Sequence, residues 1–138
     1  MEQSLKQVYE ETEYRVHNRP DLVLRIGIAN AALAVAHEQH GVSSSLFLTA
    51  WNPYTHEYPC SAAENQRRQQ QLLDQLEHSG LSYWPGIGQH PSGAPAGEES
   101  VLIFGVTRDD AKALGIQYEQ NAVVWSDRDA IPKLIFLR

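Results

Sequence analysis

Two runs of mostly apolar residues, at positions 46–51 (LFLTAW) and 101–106 (VLIFGV), constrain the fold of this chain most strongly. A strand with one face in water carries a polar residue at every second position, and neither run shows this pattern. Continuous apolar segments of this length are typical of strands that are covered on both faces. We therefore predict that the two runs are neighbouring interior strands of one sheet.

Residues suited to cap helix N-termini mark four helices along the chain. The clearest signal precedes a predicted helix over residues 61–79, where Ser61 and Glu64 form an S-x-x-E capping box. Gly80 is suited to end this helix, because glycine readily adopts the left-handed conformation that follows a helix. The predicted N-caps are Ser4, Asn30, Ser61 and Thr107.

Shorter strand patterns near both ends of the chain indicate hairpins. Residues 85–97 are rich in glycine and proline and are predicted to form a loop. This order favours an α+β fold with a mixed central sheet, helices packed on it and hairpin-like strands at both ends. The length of 138 residues predicts a single domain over 1–138. Further strands are predicted at 13–18, 22–28, 81–84, 122–125 and 133–137, and the last helix is expected to end near Gly115.

Composition excludes several classes of function. A net charge of −6 argues against nonspecific nucleic-acid binding, which needs clustered Lys and Arg. A single cysteine, Cys60, rules out an internal disulfide. No apolar run approaches the roughly 18 residues of a membrane span, and no secretion signal is recognisable, so we expect a cytoplasmic protein. His37 and His40 have metal-ligand spacing but no third ligand beside them, so we predict no metal and no cofactor.

The first half of the 61–79 helix carries polar residues on what should be its buried face. Leu72 and Leu76 form the apolar stripe, and the same stripe projected backwards by helical spacing reaches Asn65 and Arg68. A buried face that turns polar is unfavourable unless its groups are paired. This is the first indication of a ligand pocket.

The predicted pocket lies where the TAWNP strand end (49–53), the N-terminus of the 61–79 helix and the EES strand start (98–100) meet. Its ligand would be small and polar or anionic, and nucleotide-like molecules fit that description. Arg68 would bind a phosphate or carboxylate, and Trp51 would offer a stacking face. We expect the Arg68 guanidinium to point towards Asn52 or Glu99. The predicted ligand-binding residues are Trp51, Asn52, Asn65, Arg68, Glu99, Ser100 and Gln120.

Two alternatives remain open at this point. The same pocket could belong to an enzyme, with Glu99 as acid–base residue and Arg68 as anion stabiliser. The sequence shows no nucleophile–base pair, which makes this hypothesis weaker. The chain could instead be a protein-interaction module in which the polar residues form a buried structural network.

Short motifs along most of the chain resemble one bacterial family. They are T-A-W-N-P at 49–53, E-N-x-x-R at 64–68, E-E-S at 98–100, L-G at 114–115 and Q-N-A at 120–122. In this order they resemble domain of unknown function 3293. The resemblance implies a small bacterial protein and carries no reaction or cofactor with it.

Overall fold

The strands that the structure describes lie in a single antiparallel sheet. The computed structural model describes residues 4–53, 60–93 and 97–138. Within these ranges, the sheet has seven strands in the order β2-β1-β4-β5-β3-β6-β7. In chain order the elements are α1 (Leu5–Glu11), β1 (Glu13–Val16), β2 (Val23–Leu24), α2 (Ala31–Gln39), β3 (Ser45–Leu48), α3 (Ala62–His78), β4 (Tyr83–Gln89), β5 (Glu98–Phe104), α4 (Arg108–Gln117), β6 (Ala122–Ser126) and β7 (Pro132–Phe136).

The α+β class and the two central strands are confirmed. β3 and β5 are interior neighbours, with Leu46 opposite Ile103 and Leu48 opposite Val101. The sheet is antiparallel throughout its described pairs, however, and not mixed as expected. The reason is that each helical crossover skips an odd number of strands, three for α2 and one each for α3 and α4. α3 joins β3 to β4, which run the same way, but β5 lies between them. In the same way β3 separates β5 from β6, which α4 connects.

The first five residues of the predicted loop over residues 85–97 are strand. β4 continues to Gln89 and β5 begins at Glu98, whereas residues 94–96 of that prediction lie outside the described residues. Glycine is required within β4 because the neighbouring strand β1 approaches it closely. A Cβ on Gly86 would clash with the Arg15 carbonyl oxygen and would lie 3.1 Å from the Phe47 ring. Gly86 therefore marks close packing between strands rather than a turn.

The predicted caps are confirmed at all four helices. Ser4, Asn30, Ser61 and Thr107 each accept a backbone N–H with the side-chain oxygen, and Glu64 completes the capping box of α3. The end of α4 differs from the prediction, because the helix passes Gly115 and ends at Gln117. Gly115 is buried against Val123 and Leu137, where a Cβ would clash with both side chains.

Helices cover both faces of the sheet, and each face has its own core. α3 and α4 cover one face, whose buried residues include Leu46, Leu72, Leu76, Ile103 and Trp125. α2 covers the other face, whose buried residues include Tyr14, Leu33, Phe47, Leu102 and Val124. Among the described residues no helix is long and apolar enough to cross a membrane.

Candidate functional site

The chain that leaves β3 is held by side chains from other elements. Arg68 Nε donates to the Ala50 carbonyl at 2.6 Å, and the Ala50 N–H donates to Gln69 Oε1 at 3.1 Å. Gln120 Nε2 donates to the Trp51 carbonyl at 3.1 Å. Buried backbone groups outside a sheet need such partners. We call the side chains that bind this segment the clamp, and they are Asn65, Arg68, Gln69 and Gln120.

Asn52 and Asn65 form a reciprocal amide pair at the start of α3. The Asn52 N–H donates to Asn65 Oδ1 at 2.9 Å, and Asn65 Nδ2 donates to Asn52 Oδ1 at 3.0 Å. Asn52 Nδ2 then donates to Glu98 Oε2 at 2.9 Å. Asn52 has a φ of 45°, a left-handed conformation that asparagine tolerates better than most residues. Asn65 is only 4% exposed, so its amide is committed to this pair.

Arg68 does not point towards Asn52 or Glu99, and that expectation is wrong. Its Nη2 donates to the Tyr118 carbonyl at 2.7 Å, and its Nη1 lies 3.3 Å from Glu119 Oε1. Tyr118 caps the C-terminus of α4, where exposed carbonyls favour a cation. The guanidinium thus satisfies two backbone carbonyls, at Ala50 and Tyr118, that lie within its reach. Arg68 joins the segment after β3 to the end of α4.

The EES segment divides between the two faces of the sheet. Successive side chains of a strand point to opposite faces, so Glu98 and Ser100 share one face and Glu99 lies on the other. Glu99 is exposed, and its Oε2 lies 3.4 Å from His17 Nε2. Glu99 and Ser100 therefore lie on opposite faces of the sheet, and among the described residues Glu99 forms no hydrogen bond or ion pair with Arg68. Glu98 was missed as a site residue, although alternation along the strand would have paired it with Ser100.

A cavity of about 100 Å³ lies between α1 and the sheet, on the face that carries Glu98 and Ser100. Most of its lining is apolar, and we call it the α1 cavity. Of the predicted site residues, Ser100 and Gln120 line it. The apolar lining includes Leu5, Val8, Tyr9, Tyr14, Phe47, Leu48, Ala122, Val123 and Val124, and the polar side chains are those of Thr12, Thr49, His90, Glu98, Ser100 and Gln120.

Hydrogen-bond acceptors gather on this cavity. Both bonds of the Gln120 amide, to the carbonyls of Trp51 and Tyr118, use Nε2 and leave Oε1 to accept. Ser100 Oγ donates to the Glu98 carbonyl at 2.9 Å and keeps its lone pairs. Glu98 contributes a carboxylate. The cavity therefore suits a ligand group that donates hydrogen bonds.

Tyr14 links the cavity to α1. Tyr14 is on β1, and its hydroxyl donates to the carbonyl of Tyr9 on α1 at 2.7 Å. Burial raises the pKa of Tyr14, so the phenol stays protonated and remains a donor. Near it, His90 Nε2 lies 3.3 Å from Glu11 Oε2, a second polar contact between α1 and the sheet.

The histidines with metal-ligand spacing have other roles. His37 Nε2 lies 2.7 Å from Ser45 Oγ in the core, and burial lowers the pKa of His37. His40 stacks on Phe104 with ring centroids 3.7 Å apart. In the part of the chain that the structure describes, no three His, Cys, Asp or Glu side chains are grouped to hold a metal.

Trp51 is the remaining predicted site residue. It does not line the α1 cavity. Its Nε1 is buried and has no hydrogen-bond partner among the described residues. The expected stacking face is therefore not part of this cavity.

A family model described as "Protein of unknown function (DUF3293)" matches residues 48–123, which is more than half of the chain. The chain belongs to the DUF3293 family. This confirms the resemblance seen in the sequence motifs. The match in this DUF3293 protein runs from the end of β3 to the start of β6 and contains the whole clamp, Glu98 and Ser100. No curated protein and no solved structure matches the chain.

Proposed function

We propose that this DUF3293 protein binds a small molecule in the α1 cavity. The observation that carries the proposal is a mainly apolar space, partly open to solvent, with acceptors from Glu98, Ser100 and Gln120 on its wall. An apolar pocket with a few convergent polar groups is the usual form of a small-molecule site. The apolar lining supplies affinity by burial, and the three acceptors orient the ligand.

The chemistry of the wall favours a ligand with an apolar body and a donor group, such as an amine or an alcohol. A carboxylate or phosphate beside Glu98 would meet a like charge. The anionic, nucleotide-like ligand expected from the sequence has less support, because Arg68 directs three of its N–H groups to Ala50, Tyr118 and Glu119. At about 100 Å³ the cavity is smaller than an engineered apolar cavity of about 150 Å³ that holds benzene, so it suits a ligand smaller than benzene.

α1 forms one wall of the cavity, so a movement of α1 would widen it. α1 has seven residues, and none of them is buried. An isolated helix of this length is marginal in water, so its tertiary contacts hold it. Those contacts include the bond from Tyr14 to the Tyr9 carbonyl and the edge-on packing of Tyr9 against Phe136. Displacing this one short helix would open the cavity further and leave the sheet intact.

The two alternative functions, an enzyme and a protein-interaction module, have less support from the structure. An enzyme that combines Glu99 with Arg68 would need the two side chains in one site, whereas Glu99 is beside His17 and Arg68 is beside Tyr118. The clamp is a buried polar network of the kind that the protein-interaction hypothesis expects. Its presence does not indicate which protein would bind. Binding in the α1 cavity uses an observed space.

The test is a thermal-shift screen of amines, alcohols, carboxylates and nucleotides of graded size. A ligand that binds the native state raises its melting temperature. We expect hits among small apolar amines and alcohols. Ser100→Ala should weaken a hit about two- to tenfold, the effect of one hydrogen bond. Ser126→Ala is the matched control, because Ser126 is also a buried serine on an interior strand and does not line the cavity.

Gly88→Ala adds a second arm, because a Cβ there enters the cavity without a clash, its nearest neighbour being Tyr14 at 3.7 Å. It should weaken the same hit by occupying space. The proposal fails if only nucleotides or carboxylates bind, if Ser100→Ala binds the hit as tightly as Ser126→Ala, or if no compound shifts the melting temperature.

A further inference from the structure

Arg19 lies flat on Trp84, at the rim of a groove away from the α1 cavity. Its guanidinium carbon is 3.4 Å from the ring centroid, a cation–π contact. The groove has a volume of about 440 Å³ and runs between the β1–β2 turn and α2. Leu22 and Ala36 form its buried floor, and Val35, which is 51% exposed, stands on its rim.

The surface under Arg19 is rigid. Trp84 packs edge-on against Phe104 and His40, with ring centroids 4.8 and 4.9 Å apart. His40 is itself fixed, since it stacks on Phe104 and its Nδ1 lies 2.8 Å from the Ala36 carbonyl. Trp84 therefore cannot turn away without breaking an aromatic cluster.

The backbone of Arg19 is also held. The Arg19 N–H donates to the Val16 carbonyl at 3.4 Å, and the Leu22 N–H donates to the Arg19 carbonyl at 2.9 Å. Pro20 follows and restricts the chain further. The backbone hydrogen bonds and the stacking on Trp84 together favour this position of the exposed guanidinium before any ligand binds.

The guanidinium of Arg19 has no acidic partner in the described parts of the chain. Arg15, Arg25 and Arg68 each pair with a glutamate, whereas Arg19 forms no ion pair and donates no side-chain hydrogen bond there. Stacking uses the face of the guanidinium and leaves its edge, which carries five N–H donors, for another group. An immobilised arginine with unused donors is suited to a planar anion.

We propose that this groove binds a small molecule with one carboxylate and an apolar body. The carboxylate would accept two parallel hydrogen bonds from Arg19, the geometry in which this pair is strongest. The apolar body would cover Val35 and the floor at Leu22 and Ala36. Asp21 also lines the groove, and its negative charge disfavours a doubly charged phosphate. This site is independent of the α1 cavity.

The experiment is an NMR titration of the full chain with benzoate and with its neutral isostere benzamide. The signals to follow are the Trp84 indole N–H, assigned with Trp84→Phe, and the Arg19 Nε–H. We expect benzoate to shift both signals at millimolar concentration and benzamide to bind at least about tenfold more weakly. Inorganic phosphate should shift them less than benzoate does.

Substitutions of Arg19 test whether its guanidinium binds the carboxylate. Arg19→Ala should weaken benzoate at least about tenfold, and Arg19→Lys should do so less, because an ammonium keeps the charge and loses the two-point contact. Arg67→Ala, which removes an exposed arginine from α3, and Ser100→Ala should leave benzoate binding unchanged. Equal binding of benzamide, unchanged binding by Arg19→Ala, or no shift of Trp84 up to about 50 mM benzoate would overturn the proposal.

Discussion

Replacing Arg68 with alanine tests whether the clamp stabilises the fold. Arg68 Nε and Nη2 donate to the carbonyls of Ala50 and Tyr118 at 2.6 and 2.7 Å. The side chain is 22% exposed, so both bonds are partly shielded from water. The substitution removes both donors and leaves the helical position of residue 68 unchanged, because alanine is a good helix former.

The expected loss follows from the three groups that Arg68 contacts. Ala50 is fully buried, and its carbonyl loses its donor, which costs about 1–3 kcal/mol. The Tyr118 carbonyl keeps a bond from Gln120 Nε2, so losing the second donor there costs about 0.5–1.5 kcal/mol. Glu119 is 44% exposed, and its ion pair adds at most about 1 kcal/mol. Together these effects predict a loss of roughly 1.5–5.5 kcal/mol.

The assay is urea denaturation followed by circular dichroism, with Arg67→Ala as the matched control. Arg67 is the preceding residue of α3, and it is exposed and makes no hydrogen bond to the described residues. Both substitutions change helix propensity equally, so the difference between them isolates the guanidinium contacts. Arg67→Ala should stay within about 0.5 kcal/mol of wild type.

A double substitution checks the geometry. Arg68→Ala combined with Gln120→Ala removes both side-chain donors of the Tyr118 carbonyl. The pair should therefore cost more than the two single changes added together. The clamp would be refuted if Arg68→Ala lost no more stability than Arg67→Ala, or if the two losses were simply additive.

The remaining predictions concern packing, a cap and pH. Gly86→Ala should lower the free energy of unfolding by about 1–3 kcal/mol in the same denaturation assay, because its Cβ meets the Arg15 carbonyl. Gly88→Ala is the control and should fold as stably as wild type. Similar stabilities of the two variants would contradict this packing. Ser61→Ala should cost about 1 kcal/mol by removing the cap of α3, and no change would argue against the cap. Because burial lowers the pKa of His37, the unfolded chain binds its proton more readily, so stability should be complete above about pH 6.5 and fall as the pH drops through the folded-state pKa. His37→Gln should flatten that part of the profile, and an unchanged slope would contradict the assignment.

Local features of the sequence were sufficient for the starts of the four helices. All four helix caps depend on residues within one turn of the cap, so they can be recognised without the fold. The two apolar runs predicted that β3 and β5 are interior neighbours, because only strands covered on both faces lack alternation. The motifs also placed the chain in its family.

The candidate site was predicted only in part. Asn65 was recognised as a buried polar residue, because helical spacing placed it on the apolar stripe of α3. Ser100 and Gln120 lie near one another, since both line the α1 cavity. The direction of Arg68 was wrong, because a long side chain reaches several carbonyls and the sequence does not say which of them lie near it.

Only the tertiary structure decided the strand order, the partners of Arg68 and the existence of the α1 cavity. The insertion of β5 between β3 and β4 is a contact between segments far apart in the chain, and it converts an expected mixed sheet into an antiparallel one. The sequence around Gly86 likewise does not show why only glycine fits there, because the atoms that exclude a side chain belong to Arg15 and Phe47 on other strands. Caps and apolar runs depend on neighbours in sequence, whereas cavities and long hydrogen bonds depend on which elements come to lie side by side.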